Sequence, residues 1–195
     1  MSIFVKICGL TDEAGIEAAV EAGVDAVGFV FYEQSPRNLS MDKAVALARV
    51  VPAGVLKVAV TLRPQKDWWS DVIDALRPDA IQADLDDFAD MPDGAGIAKW
   101  PVVREGSDPQ RMPELFVYEG RKSGKGETVD WDVASLFARQ GRMILAGGLH
   151  SGNVGEAIAT VQPFGVDVSS AVESQPGVKD PAKIHSFIEA ARAAG

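Results

Sequence analysis

Eight short apolar runs punctuate this 195-residue chain at a nearly constant interval, and that spacing constrains the fold more than any other feature. They begin near Ile3 (IFVKIC), Ala26 (AVGFVF), Val55 (VLKVAV), Asp79 (DAIQA), Ala98 (AKWPVV), Glu114 (ELFVY), Arg142 (RMILA) and Phe164 (FGVDV). The mean interval, about 23 residues, is that of one strand followed by one helix in a parallel α/β fold. Several runs are apolar almost throughout, as strands covered on both faces must be. Helical patterns fill most of the gaps. In DEAGIEAAVEAG, Ile16, Ala19, Val20 and Gly23 share a face, and Thr11 or Asp12 can cap the start. Ser40 caps MDKAVALARVV; DWWSDVIDAL stops before Arg77 and Pro78; WDVASLFARQG ends in Gly141; NVGEAIATV ends before Pro163; KDPAKIHSFIEAARAAG carries Pro181 in its first turn. Between 84 and 113 the helical signal fails. The pattern predicts a (β/α)8 TIM barrel in a single domain, residues 1–195, with short or missing helices after strands four and five. The alternative is an open doubly wound sheet. Eight strands would make it wide, and no G-x-G-x-x-G follows the first strand.

Composition narrows the chemistry. Lys and Arg total 19 against 28 Asp and Glu, a net charge of -9, so nucleic acid and anionic membrane surfaces are not expected partners. One cysteine excludes a disulfide framework, and His150 and His185 have no zinc-ligand spacing. The DLDDFAD run (84–90) lacks the spacing of a calcium loop and reads as a solvated loop. No apolar run suits a signal peptide or a membrane span, so a cytoplasmic protein is expected. Trp68 and Trp69 fall on a surface helix, where packing explains them.

In a barrel, functional groups belong on the loops after the strands. In KIC-GL, alternation puts Lys6 and Cys8 on one face and the apolar Val5 and Ile7 on the other, which points the first pair inward. A lysine there needs an anionic partner. Cys8 reads either as a small buried hydrophobe or as a thiol presented at a strand end. Arg37 lies in the loop after strand two, either solvated or set to grip a carboxylate with its fork. After strands seven and eight, AGGLHSGN and GVDVSSAVES place Gly147, Gly148, Ser169, Ser170 and Ala171 at turns where backbone amides and a short helix can bind an anion. No Lys or Arg lies between Arg142 and Lys179, so amides rather than basic side chains are expected to hold it. Glu119 closes strand six beside the Gly-rich RKSGKGETVDW loop, and apolar walls there would suit it to act as a general acid. Pairing with Arg121 or Lys122 on the surface is the other reading, and Asp130 is the nearest competing carboxylate.

Taken together, VKICGLT, GVDAVGFVFYEQSPRNLS, SGKGETVDW, LAGGLHSGNV and GVDVSSAVESQPGVKDP resemble the phosphoribosylanthranilate isomerase family, in the same order from Val5 to the C-terminal helix. The resemblance implies a (β/α)8 barrel that rearranges N-(5-phosphoribosyl)anthranilate to 1-(2-carboxyphenylamino)-1-deoxyribulose 5-phosphate in tryptophan biosynthesis, with no cofactor and no metal. It puts the general base on Cys8, the general acid on Glu119 and the contact to the anthranilate carboxylate on Arg37. The phosphate contacts fall on Gly147, Gly148, Ser169, Ser170 and Ala171, with Asp167 facing the substrate. A monomer is expected in preference to a homodimer.

The chain departs from the family pattern in four places. Glu119 replaces Asp; Asp84 stands where a His is expected; Thr61-Leu62-Arg63-Pro64 replaces an apolar-Asn turn; Ala171 replaces a Gly. These bear on the pocket more than on the reaction. Two other readings are a histidine-pathway aminoimidazole isomerase, which the cysteine and the lone phosphate motif disfavour, and a phosphoribosyl-ligand sensor without catalysis.

Overall fold

Each of the eight apolar runs forms a strand, displaced by no more than about one residue from its expected start. A computed structural model describes residues 2–92, 96–107, 109, 111–121 and 128–195. The strands are β1 (Phe4–Cys8), β2 (Ala26–Phe31), β3 (Leu56–Thr61), β4 (Ala80–Asp84), β5 (Ala98–Arg104), β6 (Leu115–Glu119), β7 (Arg142–Leu145) and β8 (Gly165–Val168). They pair in chain order and in parallel, and β8 returns to β1 through registers such as Lys6 with Asp167, closing the barrel. The open-sheet alternative is thereby excluded.

The helices are α1 (Glu13–Glu21), α2 (Met41–Ala48), α3 (Trp68–Leu76), α4 (Trp131–Ala138), α5 (Val154–Val161) and α6 (Pro181–Ala194). Caps fall where short polar side chains permit. Asp12 accepts from the Gly15 amide, Ser40 from Lys43, Asp130 from Asp132 and Val133, and Asp180 from Ala182 and Lys183. Thr11, the other candidate for α1, instead donates to the Gly177 carbonyl. Gly23 lies beyond α1 rather than on its face, because the helix ends at Glu21. Where the helical pattern fails, a 3-10 turn (Leu85–Asp90) follows β4, and no helix follows β5 among the described residues. Trp69 is not on a surface: it is fully buried and packs against Phe88 with the rings tilted, while Trp68 meets Phe31 edge-on. An antiparallel hairpin, β9 (Glu173–Gln175) and β10 (Val178–Lys179), was not foreseen, since strands of three and two residues carry no readable periodicity.

Strand alternation divides the packing into two layers. Val5, Ile7, Phe29, Ile81, Phe116, Met143 and Val166 face outward onto Ile16, Leu47, Trp69, Ile158, Ile184 and Phe187 of the helices. The opposite faces fill the barrel, and their chemistry changes along its axis. At the strand N-terminal ends Phe4 meets Trp100 and Phe164, and Ala26, Val58, Val102, Val117 and Ile144 pack above them. Two residues further along β1, β4, β5, β6 and β8 the same face turns polar: Lys6 and Cys8, Gln82 and Asp84, Arg104, Glu119, Asp167. An apolar floor thus closes one end and leaves titratable groups at the other.

Candidate active site

The inward parity of Lys6 and Cys8 holds. Lys6 has no exposed surface, and its Nζ donates to Asp167 Oδ1 at 2.9 Å across the β1–β8 pair. The anionic partner that a barrel lysine requires is therefore Asp167. Gly28 on β2 makes room for this group: a Cβ there would lie 2.8 Å from Cys8 Sγ and 3.3 Å from Lys6 Cε. The thiol and the lysine stem occupy the space of one missing methyl. Burial pushes the Cys8 thiol above its ordinary range and Asp167 adds to that, while Lys6 and Lys179 act in the opposite direction. Burial also raises Asp167 against the pull of Lys6. Burial disfavours the charge on Lys6, but Asp167 and Cys8 outweigh it and hold the lysine above its usual value.

Arg37 is not a solvated loop arginine. It is 8% exposed, and its Nε and Nη2 donate to the two oxygens of Glu173 at 2.6 and 2.8 Å. The same carboxylate accepts from Lys179 Nζ at 2.8 Å, and Lys179 also donates to the Ser169 carbonyl at 2.9 Å. Burial would raise the Glu173 carboxyl, but its bonds to Arg37 and Lys179 prevail and hold it below the ordinary value. Lys179 is pushed down by burial, against the attraction of Glu173. The sequence reading missed Glu173 and Lys179. They face each other across the unforeseen hairpin, and the available signal was a Glu and a Lys spaced six apart around Pro176-Gly177.

Glu119 closes β6 on the inner face above Val117, as expected. Among the described residues it is paired with an arginine of the neighbouring strand, and Lys122, the surface lysine expected as an alternative partner, lies outside them. Glu119 Oε2 accepts from Arg104 Nη1 at 2.8 Å, and Arg104 Nε and Nη2 reach Asp84 Oδ1 at 2.9 and 2.5 Å. Beside the apolar wall expected around Glu119 the structure puts charge: three consecutive strand ends, β4 to β6, form an acid–arginine–acid bridge. Two of its members, Asp84 and Glu119, are departures from the family pattern. Asp130 is engaged elsewhere, capping α4.

Cys8, Arg37, Glu119, Asp167 and Ser169 all line one cavity of about 400 Å³ at the strand C-terminal ends. That volume suits a small-molecule ligand. Gln82 also lines it, with a buried carbonyl oxygen that has no partner among the described residues. Gly147, Gly148, Ser170 and Ala171 are outside this cavity, on the turns that follow the adjacent strands β7 and β8. Gly147 and Gly148 have φ of 93° and 64°, which side chains rarely adopt, and their amides donate no hydrogen bond among the described residues. The expected short helix after β8 is a single 3-10 turn, Ser170–Val172, and the Ala171 methyl packs on the core instead of crowding an amide. Lys179 lies behind this turn, a cation ten residues away in sequence that local reading could not supply. The Gly-rich loop expected to fold over Glu119, with Lys122 and Lys125, lies at 122–127 outside the described residues. No group of three or more His, Cys, Asp or Glu with metal-binding geometry occurs among the described residues.

The chain is similar to known proteins of one family along almost its whole length. The family model for N-(5'phosphoribosyl)anthranilate (PRA) isomerase matches residues 5–190. An N-(5'-phosphoribosyl)anthranilate isomerase of Geotalea uraniireducens is 39% identical over 198 residues, covering 96% of this chain and 98% of that one. Among solved structures, the phosphoribosyl anthranilate isomerase of Thermotoga maritima superposes with a TM-score of 0.86 at 30% identity, over 98% of this chain and 99% of that one. A phosphoribosyl anthranilate isomerase in complex with reduced 1-(o-carboxyphenylamino)-1-deoxyribulose 5-phosphate gives 0.82 at 30% identity, with the same coverage of 98% and 99%.

Proposed function

Because the chain belongs to the N-(5'-phosphoribosyl)anthranilate isomerase family, we propose that it converts N-(5-phosphoribosyl)anthranilate to 1-(2-carboxyphenylamino)-1-deoxyribulose 5-phosphate by a cofactor-free Amadori rearrangement in this cavity. The observation that carries the reading is the presentation of Cys8 and Glu119 to one cavity from β1 and β6, on opposite sides of the barrel. Glu119 protonates the ribose ring oxygen, the bond from that oxygen to carbon 1 breaks, and a Schiff base forms with the anthranilate nitrogen. Cys8, as thiolate, takes the proton from carbon 2, and the resulting enolamine relaxes to the ketone. Arg104 is a cation beside the acid's oxygen, and Asp84 is placed to keep hold of it while Glu119 turns to the substrate.

Arg37 keeps Nη1, which donates no hydrogen bond among the described residues, for the anthranilate carboxylate, with Glu173 fixing the plane of its guanidinium. Asp167 faces the ribose hydroxyls. The phosphate binds to the amides at Gly147, Gly148, Ser169, Ser170 and Ala171. We take the chain to be a single-domain cytoplasmic monomer acting on a small anionic substrate. No helix of the described residues is long and apolar enough to cross a membrane.

Turnover of the phosphoribosyl substrate, followed by loss of its fluorescence, tests this reading. Cys8→Ser should lower turnover by about a hundredfold or more with little change in stability, the scale of a lost positioned base. Activity within a few-fold of wild type would reduce Cys8 to a packing residue. Calorimetric binding of the product by a wild-type protein that does not turn over substrate would replace catalysis by ligand sensing.

A further inference from the structure

Lys6 is costly to bury, and the reaction as described gives it no task. It is fully buried, lies two residues before Cys8 on the same face, and pairs with Asp167 at 2.9 Å. Its stem and the Cys8 sulfur converge on the point that a Gly28 side chain would fill. A purely structural lysine does not explain that convergence, since an apolar residue would fill the space without the desolvation cost. The site also has an electrostatic problem. The reaction calls for a thiolate at Cys8 while Asp167 stands as a carboxylate in the same cavity, and two like charges at such range disfavour each other.

We propose that Lys6 is a positioning residue that bridges Cys8 and Asp167, so that a thiolate base and a substrate-facing carboxylate can share the cavity. The inference rests on the reading of Cys8 as the base. The charged groups around the sulfur are Lys6 on its own strand, Asp167 on β8 and Lys179 on β10, with Arg37 and Glu119 lining the same cavity. Lys179 is committed to Glu173 and the Ser169 carbonyl, so Lys6 is the cation whose partner is itself in the reacting cavity. Burial is the largest influence and holds the thiol above its ordinary range; against it Lys6 acts to lower the thiol, Asp167 raises it further, and Lys6 itself remains charged.

Cys8 is the only cysteine in the chain, so alkylation by iodoacetamide as a function of pH reads this thiol without interference. Asp167→Asn leaves Lys6 to the sulfur alone and should make alkylation faster at a fixed pH below the thiol's titration. The double variant Lys6→Met/Asp167→Asn removes both charges without stranding either, and should react more slowly than Asp167→Asn by about tenfold, the size expected for loss of one opposite charge at close range. Superimposed profiles for those two variants would overturn the inference. A measurement on protein with Lys6 intact covers the case in which a variant does not fold. With 15N-labelled lysine, the Lys6 ammonium resonance should move as Cys8 titrates and should not do so in Cys8→Ser; a resonance indifferent to the thiol would overturn the bridge. Retained turnover in Cys8→Ser would remove the base assignment alone, whereas indifferent thiol profiles would remove Lys6 whichever group is the base.

Discussion

Replacing Glu173 by Gln keeps the shape of the side chain and removes the one anion shared by two buried cations. The consequences differ for the two partners. Arg37 lines the cavity and can turn its fork to water there. The Lys179 side chain is fully buried, and its remaining acceptors, the Ser169 carbonyl at 2.9 Å and hydroxyl at 3.3 Å, carry no full charge. Breaking a buried pair from one side costs about 3–5 kcal/mol. Because Lys179 is already pushed down by burial, it can shed its proton, which limits the loss to the lower end, about 3 kcal/mol. For a chain of this size that lowers Tm by about 6–12 °C. Thermal unfolding at neutral pH measures it, and Glu173→Gln/Lys179→Met should recover most of the loss, since no charge is then stranded. KM should rise in both variants, because Arg37 has lost the carboxylate that orients it. A Tm within about 2 °C of wild type for Glu173→Gln would refute the reasoning, as would a double variant as unstable as the sum of its singles. The pH dependence follows the same logic. The folded Glu173 carboxyl is held below its unfolded value of about 4.3, so its contribution is full above that pH and is lost as pH falls through the folded value. Acid destabilisation of wild type in that window should be steeper than that of Glu173→Gln.

Glu119→Gln should cut turnover by roughly a hundredfold or more with affinity within a few-fold, whereas Asp130→Asn should leave turnover nearly intact, since Asp130 only caps α4. The opposite pattern, without unfolding, would move the acid to Asp130. Gly148→Ala places a Cβ 2.5 Å from the Thr128 hydroxyl oxygen and 2.6 Å from its backbone at a φ of 64°, so it should destabilise the fold and raise KM; a neutral result would detach this turn from the site. In a crystal soaked with sulfate, the anion should lie between the turns at 147–148 and 169–171, and density at Lys122 or Lys125 instead would remove the amide site.

The barrel was legible in the sequence because its determinants are local and repeated. Alternation assigned Lys6 and Cys8 to the interior without any knowledge of their neighbours, and residues such as Asp12, Ser40 and Pro181 marked helix starts. The gap after strand four was likewise visible as a missing periodicity, and a 3-10 turn is what fills it. The partners of the charged groups were not legible. Asp167 meets Lys6 across 161 residues, Glu173 meets Arg37 across 136, and Arg104 reaches both Asp84 and Glu119 from the strand between them. Side-chain direction follows from a two-residue period, but which directions converge depends on closure of the sheet and on the short hairpin that brings Glu173 and Lys179 under the last turn. Local chemistry chose the groups that face inward; the closed barrel decided which of them neutralise one another.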